Sequence, residues 1–196
     1  MTRGVFVLSV FRNEGAVVRK LLGYQFACAI VGSMLSTASM SVKWLNCLTS
    51  ILAVLLYCYF IYTAVLDSAA KDRLKVEGGR KSKDMSLGFK IALCANLPNI
   101  ILGVLAIILC AIGTFTQTVW SGSAGTIVVF IARLWQAMYN GIITFVIPVG
   151  LTGWEFVISN LVYLVISVPA ILVGYIAYSM GYRNIRLFKE AKKTEK

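Results

Sequence analysis

The sequence predicts an all-α, polytopic helical membrane protein with four to five transmembrane helices in one bundle. Of its 196 residues, 59% are hydrophobic, and the mean hydropathy is +0.81. This is more apolar surface than a soluble domain of that size buries in its core. The apolar residues also form continuous runs, whereas strands of a membrane barrel alternate polar and apolar residues over shorter stretches. We therefore predict a single membrane domain over residues 1–196.

Five apolar runs approach the length of a spanning helix, which is about 20 residues for a hydrocarbon layer about 30 Å thick. The predicted segments are residues 21–41, 44–66, 91–113, 126–149 and 156–181. Small residues recur at a spacing of four in the first and last runs, as in Gly32 with Ser36 and Ala170 with Gly174. This spacing favours close packing of helices.

Two of the runs contain a proline beside polar residues. In the third run Pro98 lies between Asn96 and Asn99, and in the fifth Pro169 follows Ser167. Proline removes a backbone donor and frees a carbonyl, and polar side chains in a membrane can bond to such freed groups. We expect a kink in both segments.

The formal net charge of +11 is concentrated beside the apolar runs. The loop at 67–90 holds seven basic and four acidic residues, and the tail at 182–196 is also strongly basic. Positive charge marks cytoplasmic segments, so the loop and the N-terminus are predicted to be cytoplasmic. Such clusters attract anionic lipid at the bilayer surface. No aromatic residues alternate with these charges, which argues against nucleic acid as a partner.

The loop also contains the pair Gly78-Gly79. Two glycines in succession permit a tight turn. With RLKV before the pair and RKSK after it, the sequence is compatible with a small hairpin.

The composition argues against an enzyme, a metal site and a bound cofactor. The chain has no histidine, so it lacks the commonest general base and metal ligand. No acidic residue lies in the core of an apolar run. The cysteines are odd in number, show no CxxC spacing and lie inside apolar runs, as buried hydrophobes do; they are Cys28, Cys47, Cys58, Cys94 and Cys110.

The fourth run, residues 126–149, is amphipathic. On one continuous helix Arg133, Gln136, Asn140 and Thr144 fall within a stripe about 80° wide. An arginine at the centre costs about 2.5 to 3.5 kcal/mol on the insertion scale, which offsets most of what the apolar residues contribute. The stripe is therefore the candidate intramembrane polar site, and insertion of this run is marginal.

Two topologies follow from the charges. If all basic regions share one side, an even number of crossings separates Lys90 from Arg183, and one of the three runs between them does not cross. The favoured topology has four crossings, with residues 126–149 in the outer interface or entering and returning, and Arg133 near the head groups. The alternative has five crossings and an external tail. Arg133 is then buried in the bundle, where an intramembrane charge is a functional candidate.

Three stretches, YTAVLDSAAKDRLKVEGGRK, GFKIALCANLPNIILG and GYIAYSMGYRNIRL, resemble uncharacterised small multi-pass membrane proteins of Firmicutes. The three stretches make up about a quarter of the chain. It implies a bacterial cytoplasmic membrane and no particular activity.

Two functions remain after the enzyme is set aside. The favoured one is a non-catalytic accessory component whose small-residue faces contact a membrane-protein partner or further copies of itself. The alternative is a small-solute transporter or channel subunit. In that alternative Asn96, Asn99 and Asn160 join the stripe at Arg133 around a polar cavity, and Arg133 attracts an anionic group.

Overall fold

The computed structural model describes residues 3–80, 82, 84–116, 119–147, 151 and 153–185, and the side chains of these from residue 14 onward except 119–121 and 146. This part of the chain is helical and contains no strand, which confirms the predicted all-α class. The helices are α1 Arg3–Ser39, α2 Lys43–Glu77, α3 Leu87–Thr116, α4 Val119–Trp135, a 3₁₀ turn Ala137–Tyr139, α5 Asn140–Val146, α6 Gly153–Ser159, α7 Val162–Val165 and α8 Val168–Tyr182.

Four stretches of the described chain are long and apolar enough to cross a membrane. They are Glu14–Ser39, Lys43–Glu77, Leu87–Thr116 and Gly153–Tyr182. A fifth stretch passes the same test only as a bent pair, Gly122–Trp135 with Ala137–Phe145, whose axes differ by 82°. Four spans and one sharply bent segment therefore make up the predicted bundle.

The four spans run alternately up and down. α8 lies antiparallel to α3, because Tyr178 packs on Gly88 and Gly174 packs on Ala92. Gly181 in turn packs against Leu66 of α2. The C-terminal ends of α2 and α8 and the start of α3 thus lie together, and we call this the basic end of the bundle. The α1–α2 turn, the end of α3 and the start of α6 lie at the opposite end.

The bent segment enters and leaves the bundle at the opposite end. α4 descends along α3, where Gly125 meets Cys110, and the 3₁₀ turn places Met138 against Gly32 of α1. α5 then rises along the first turns of α2, since Gly141 contacts Asn46 and Ser50 and the Thr144 hydroxyl is 3.5 Å from Nδ2 of Asn46. Both ends of α4–α5 thus lie at the opposite end of the bundle, as expected of a segment that enters and returns, and we call it the re-entrant hairpin.

The connection between the second and third spans is shorter than the predicted loop at 67–90. α2 continues to Glu77, so RLKV is helical and the expected small hairpin was wrong. The helix ends in a glycine turn in which Gly79 has φ +70° and the Arg80 amide donates to the Lys75 carbonyl at 2.8 Å. Residues 78–86 alone connect α2 to α3. Of the predicted tail 182–196, residues 186–196 lie outside the described part.

The last span is broken where its polar residues predicted a kink. Turns at Asn160-Leu161 and Ile166-Ser167 separate α6, α7 and α8, and Pro169 lies in the first turn of α8. α3, by contrast, is one helix through Pro98. The small residues of α8 face the bundle as expected, since Ala170, Gly174, Ala177 and Gly181 are all buried.

Candidate functional site

The tip of the re-entrant hairpin contacts Tyr163 of α7 in two places. The Arg133 guanidinium donates through Nε to the Tyr163 hydroxyl at 2.9 Å. The amide Nε2 of Gln136, a fully buried side chain, lies 3.5 Å from the Tyr163 carbonyl. Residues from α4 and from the bend that follows it thus hold one residue of the last span by its side chain and its backbone.

The break in the last span explains why the Tyr163 carbonyl is available. The Ser167 amide donates to the Leu164 carbonyl at 3.2 Å, one residue short of the usual helical partner. The Tyr163 carbonyl instead receives the Ser167 hydroxyl at 3.4 Å as well as Gln136. Side chains therefore take over the role of backbone donors at this break, as membrane proteins require.

Two buried polar atoms at the bend have no hydrogen-bond partner among the described residues. They are Oε1 of Gln136 and Nε1 of Trp135. A buried donor or acceptor left unpaired costs about 1 to 3 kcal/mol. The α4–α5 bend is consequently the least satisfied polar region in the described part of the bundle.

Along the long axis of the bundle, Arg133 lies at about half of the depth. Its partner Tyr163 packs with Leu164 against Gly103, thirteen residues from the end of α3 at Thr116. At about 1.5 Å per residue, this is about 20 Å below the opposite end. The predicted position near the outer head groups was therefore wrong. The alternative, burial within the bundle, was also wrong, because the Arg133 side chain is exposed on the bundle surface.

Asn140 and Thr144 lie apart from Arg133 and Gln136. The 82° bend places them on α5, where the Thr144 hydroxyl donates to the Asn140 carbonyl at 2.9 Å and faces Asn46 of α2. The predicted stripe assumed one straight helix. Because the helix breaks at Gln136, the stripe divides into two groups that face different neighbours.

Asn96 and Asn99 belong to a separate buried chain of hydrogen bonds through three helices. Gln25 of α1 donates to Asn99 at 2.5 Å, and Asn99 donates to Asn96 at 3.0 Å. The Tyr57 hydroxyl of α2 lies 3.4 Å from Oε1 of Gln25, and Asn96 donates to the Ala92 carbonyl at 2.9 Å. This chain links α1, α2 and α3 near mid-depth.

Asn160 completes the predicted set and lies in another place. It is buried beside the Cys110 thiol of α3. The seven candidate residues therefore form four groups: Arg133 with Gln136, Asn140 with Thr144, Asn96 with Asn99, and Asn160. Arg133 and Gln136 both contact the same third residue, Tyr163. The predicted common cavity around Arg133 is neither the cavity between α1 and α2 nor the groove between α1 and α4.

Sequence reasoning missed several residues that make these contacts. Gln25 had a usable signal, because it is the strongly polar residue within an otherwise apolar run. Tyr57 and Tyr163 had none, since tyrosines are frequent in this chain and sequence position does not indicate which hydroxyl is buried. Asn46 was not singled out within the run 44–66, and it is buried in the first turn of α2.

One cavity of about 260 Å³ opens at the basic end between α1 and α2. Asp72 on its wall is only 2% exposed; it pairs with Lys75 at 3.3 Å and accepts a hydrogen bond from the Tyr178 hydroxyl at 3.2 Å. The lining carries both signs of charge, from Glu14, Asp67 and Asp72 and from Lys20, Lys71 and Lys75. The hydrogen bond from Tyr178 to Asp72 thus joins the basic end of α2 to α8.

A second cavity of about 290 Å³ is an apolar groove between α1 and α4, lined by residues that include Phe26, Ser33 and Trp135. Among the described residues, no three His, Cys, Asp or Glu side chains are placed to hold a metal ion. Arg133 lines neither cavity.

The fold and these contacts define a polytopic helical membrane protein with a re-entrant hairpin held against a broken span. No protein-family model matches the chain, and neither a curated protein nor a solved structure matches it.

Proposed function

We propose that the protein is a non-catalytic accessory component of a bacterial cytoplasmic membrane that acts by binding another membrane protein. The observation that carries this proposal is the way the buried polar side chains are used. Gln25 donates to Asn99, and Asn99 donates to Asn96. The amide of Gln136 donates to the Tyr163 carbonyl. Polar groups that join helices stabilise a bundle by about 0.6 kcal/mol each on average. Here these groups are distributed over the bundle and not gathered around one cavity, which supports a structural use.

The orientation follows from the charges at the basic end. Lys71, Arg73, Lys75, Arg80, Lys90 and Arg183 all belong to the residues that meet there. Because positive charge favours the cytoplasmic side, the basic end and both ends of the chain face the cytoplasm. The same surface is suited to anionic lipid. The bacterial assignment rests on the resemblance to membrane proteins of Firmicutes.

Purification from the native membrane tests the proposal. A tagged chain extracted in mild detergent is expected to migrate with a second membrane protein in fixed ratio, well above its own 21.5 kDa. Recovery of the chain by itself, or only as multiples of itself, from membranes at native expression level contradicts the accessory role.

A transporter or channel subunit is the second candidate, and the re-entrant hairpin favours it. Broken helices that meet at mid-depth form substrate sites in secondary transporters, and the unpaired Oε1 of Gln136 lies at such a meeting point.

The substitution Arg133→Ala separates the two candidates in cells, with Lys43→Ala as the matched loss of a basic residue at the opposite end. At equal protein level, loss of the partner without a change in solute uptake supports the accessory role. Loss of uptake with the partner retained supports transport.

A further inference from the structure

Arg133 is a charge whose hydrogen-bonding capacity is mostly unused. A guanidinium has five N–H donors, and the described contact of Arg133 is the single bond from Nε to the Tyr163 hydroxyl. The side chain is exposed on the surface of the bundle. At mid-depth that surface meets hydrocarbon, where an unpaired arginine is costly and therefore usually faces a partner group.

The described part of this chain does not supply a carboxylate at that depth. Glu14, Asp67, Asp72, Glu77 and Asp84 all lie at or near the basic end. Glu155 lies in the first turn of α6, eight residues before Tyr163 and therefore about 12 Å nearer the opposite end. A second copy would bring its own Arg133 to the same depth, and like charges repel.

The surface around Arg133 is apolar. Phe130, one turn earlier on α4, is 60% exposed, and Leu134 beside it is 53% exposed. A water-filled path would be lined by polar side chains, so this surface is suited to a protein helix or to lipid tails, and the charge of Arg133 favours the helix. Lipid phosphates lie about 20 Å away along the bundle, beyond the length of an arginine side chain.

We infer that Arg133, with the apolar surface of Phe130 and Leu134, binds a transmembrane helix of a partner protein through an aspartate or glutamate at mid-depth of that helix. The inference rests on the proposed accessory role and specifies its partner. A carboxylate matches the planar fork of the guanidinium with two parallel hydrogen bonds. Tyr163 positions the fork, because it holds Nε and leaves the two terminal nitrogens free for the partner.

Photocrosslinking in the native membrane tests this surface. A photoreactive amino acid replaces Phe130, and a second protein carries it at Ile101, an exposed residue of α3, as the matched control. The expected product at Phe130 is a partner peptide from a transmembrane segment that contains an aspartate or glutamate. Its yield should fall at least tenfold in Arg133→Gln, fall less in Arg133→Lys, and stay low at Ile101 throughout.

Charge exchange completes the test and does not depend on a single variant. Arg133→Glu is expected to abolish the crosslink, and replacing the partner's carboxylate by lysine should restore it. Folding of each variant is checked by its elution profile before it is compared. Where Arg133→Gln does not fold, Arg133→Lys and the charge-exchanged pair decide the result.

Several outcomes overturn the inference. These are a crosslink to lipid only, a crosslink to a second copy of the chain, a partner segment without a carboxylate, and a yield that Arg133→Gln leaves unchanged. If a partner co-purifies but is captured at Ile101 and not at Phe130, the inference fails while the accessory role stands. If no partner is captured or co-purified, both fail.

Discussion

Nε of Arg133 and the Tyr163 hydroxyl, 2.9 Å apart, connect the two irregular parts of the bundle. Arg133 lies one turn before the bend of the re-entrant hairpin, and Tyr163 lies between the two breaks of the last span. Gln136 adds a second, longer contact to the same residue. Each irregular segment thus supplies the polar groups that the other requires in a membrane.

Tyr163→Phe is expected to lower the stability of the bundle. It removes the oxygen that accepts from Arg133 and leaves the apolar packing on Gly103 intact. A hydrogen bond to a charged group contributes about 1.5 to 3 kcal/mol in proteins, and the average in membranes is nearer 0.6, so we expect a loss of about 1 kcal/mol. The free energy of unfolding in bicelles measures it.

Tyr175→Phe is the matched control, because Tyr175 is an exposed tyrosine of α8 in the same span. It should change the unfolding free energy by less than about 0.5 kcal/mol, as surface substitutions do. Equal effects of the two substitutions would show that the Arg133 contact does not hold the hairpin.

Gly141→Ala is expected to displace α5 from α2. A Cβ at this position overlaps the carbonyl oxygen of Asn46 and the hydroxyl of Ser50, and the Gly141 amide already donates to that hydroxyl at 2.8 Å. Forcing an extra carbon into such a contact costs about 1 to 3 kcal/mol. Thermal unfolding, followed by size-exclusion chromatography after heating, should show a lower midpoint.

Gly122→Ala tests whether this effect is specific to the contact. Gly122 also lies in the hairpin, but a Cβ there meets nothing within 4 Å. Alanine is favoured over glycine in a helix by about 0.8 to 1 kcal/mol in water, so the midpoint should stay unchanged or rise. Similar losses at the two glycines would contradict the described course of α5.

The pair Gln25 and Asn99 should behave as one unit. Gln25→Leu and Asn99→Leu each leave a buried polar partner unpaired, which costs about 1 to 3 kcal/mol. The double variant leaves neither group of this pair orphaned, so its loss of unfolding free energy should be smaller than the sum of the single losses. Gln25→Leu combined with Asn160→Leu, at a separate site, should be additive. Strict additivity for Gln25 and Asn99 would contradict the hydrogen bond.

Asp84, at the start of α3, should contribute a stability that depends on pH. Burial raises the pKa of this carboxyl, but hydrogen bonds from Lys90 and Ser86 and the charge of Lys90 together outweigh burial, so the pKa is below its ordinary value. A carboxyl whose folded pKa is lowered stabilises the fold above its unfolded pKa of about 3.9 and loses this contribution as the pH falls through the folded pKa.

The comparison of wild type with Asp84→Asn checks this dependence. The difference between their melting temperatures should be constant from pH 7 to about pH 5 and should shrink as the pH falls below about 4. Lys90→Gln removes the partner that lies 2.7 Å from Asp84 and should reduce the difference at neutral pH. A difference that does not change with pH would contradict the account.

The sequence was sufficient to predict the helical class and the positions of the spans, because runs of apolar residues follow directly from the thickness of the bilayer. The break before Pro169 was also predictable, since proline withdraws a donor at a fixed place. The extension of α2 to Glu77 was not. Asp72 in this extension accepts a hydrogen bond from Tyr178, which lies far away in the sequence.

The bend at Gln136 could not be predicted either, although it determines the candidate site. LWQAMYNG contains no proline, and its turn signal, Asn140-Gly141, follows the bend and does not mark Gln136. The backbone leaves helical geometry at Gln136, with φ −108° and ψ 28°, where Met138 and Gly141 pack into gaps beside Gly32 and Ser50. The predicted stripe from Arg133 to Thr144 therefore assumed one continuous helix, whereas the helix is broken at Gln136.

The most direct test of the account asks on which side of the membrane the last span ends. After the five native cysteines are replaced, single cysteines are introduced at Ser82, Trp154 and Ile185, all of which are exposed. They are labelled in sealed vesicles with a reagent that does not cross the bilayer. The account predicts that Ser82 and Ile185 react from the same side and Trp154 from the other. Labelling of Ile185 on the side opposite Ser82 would mean that residues 126–149 cross the membrane, and it would contradict the re-entrant hairpin.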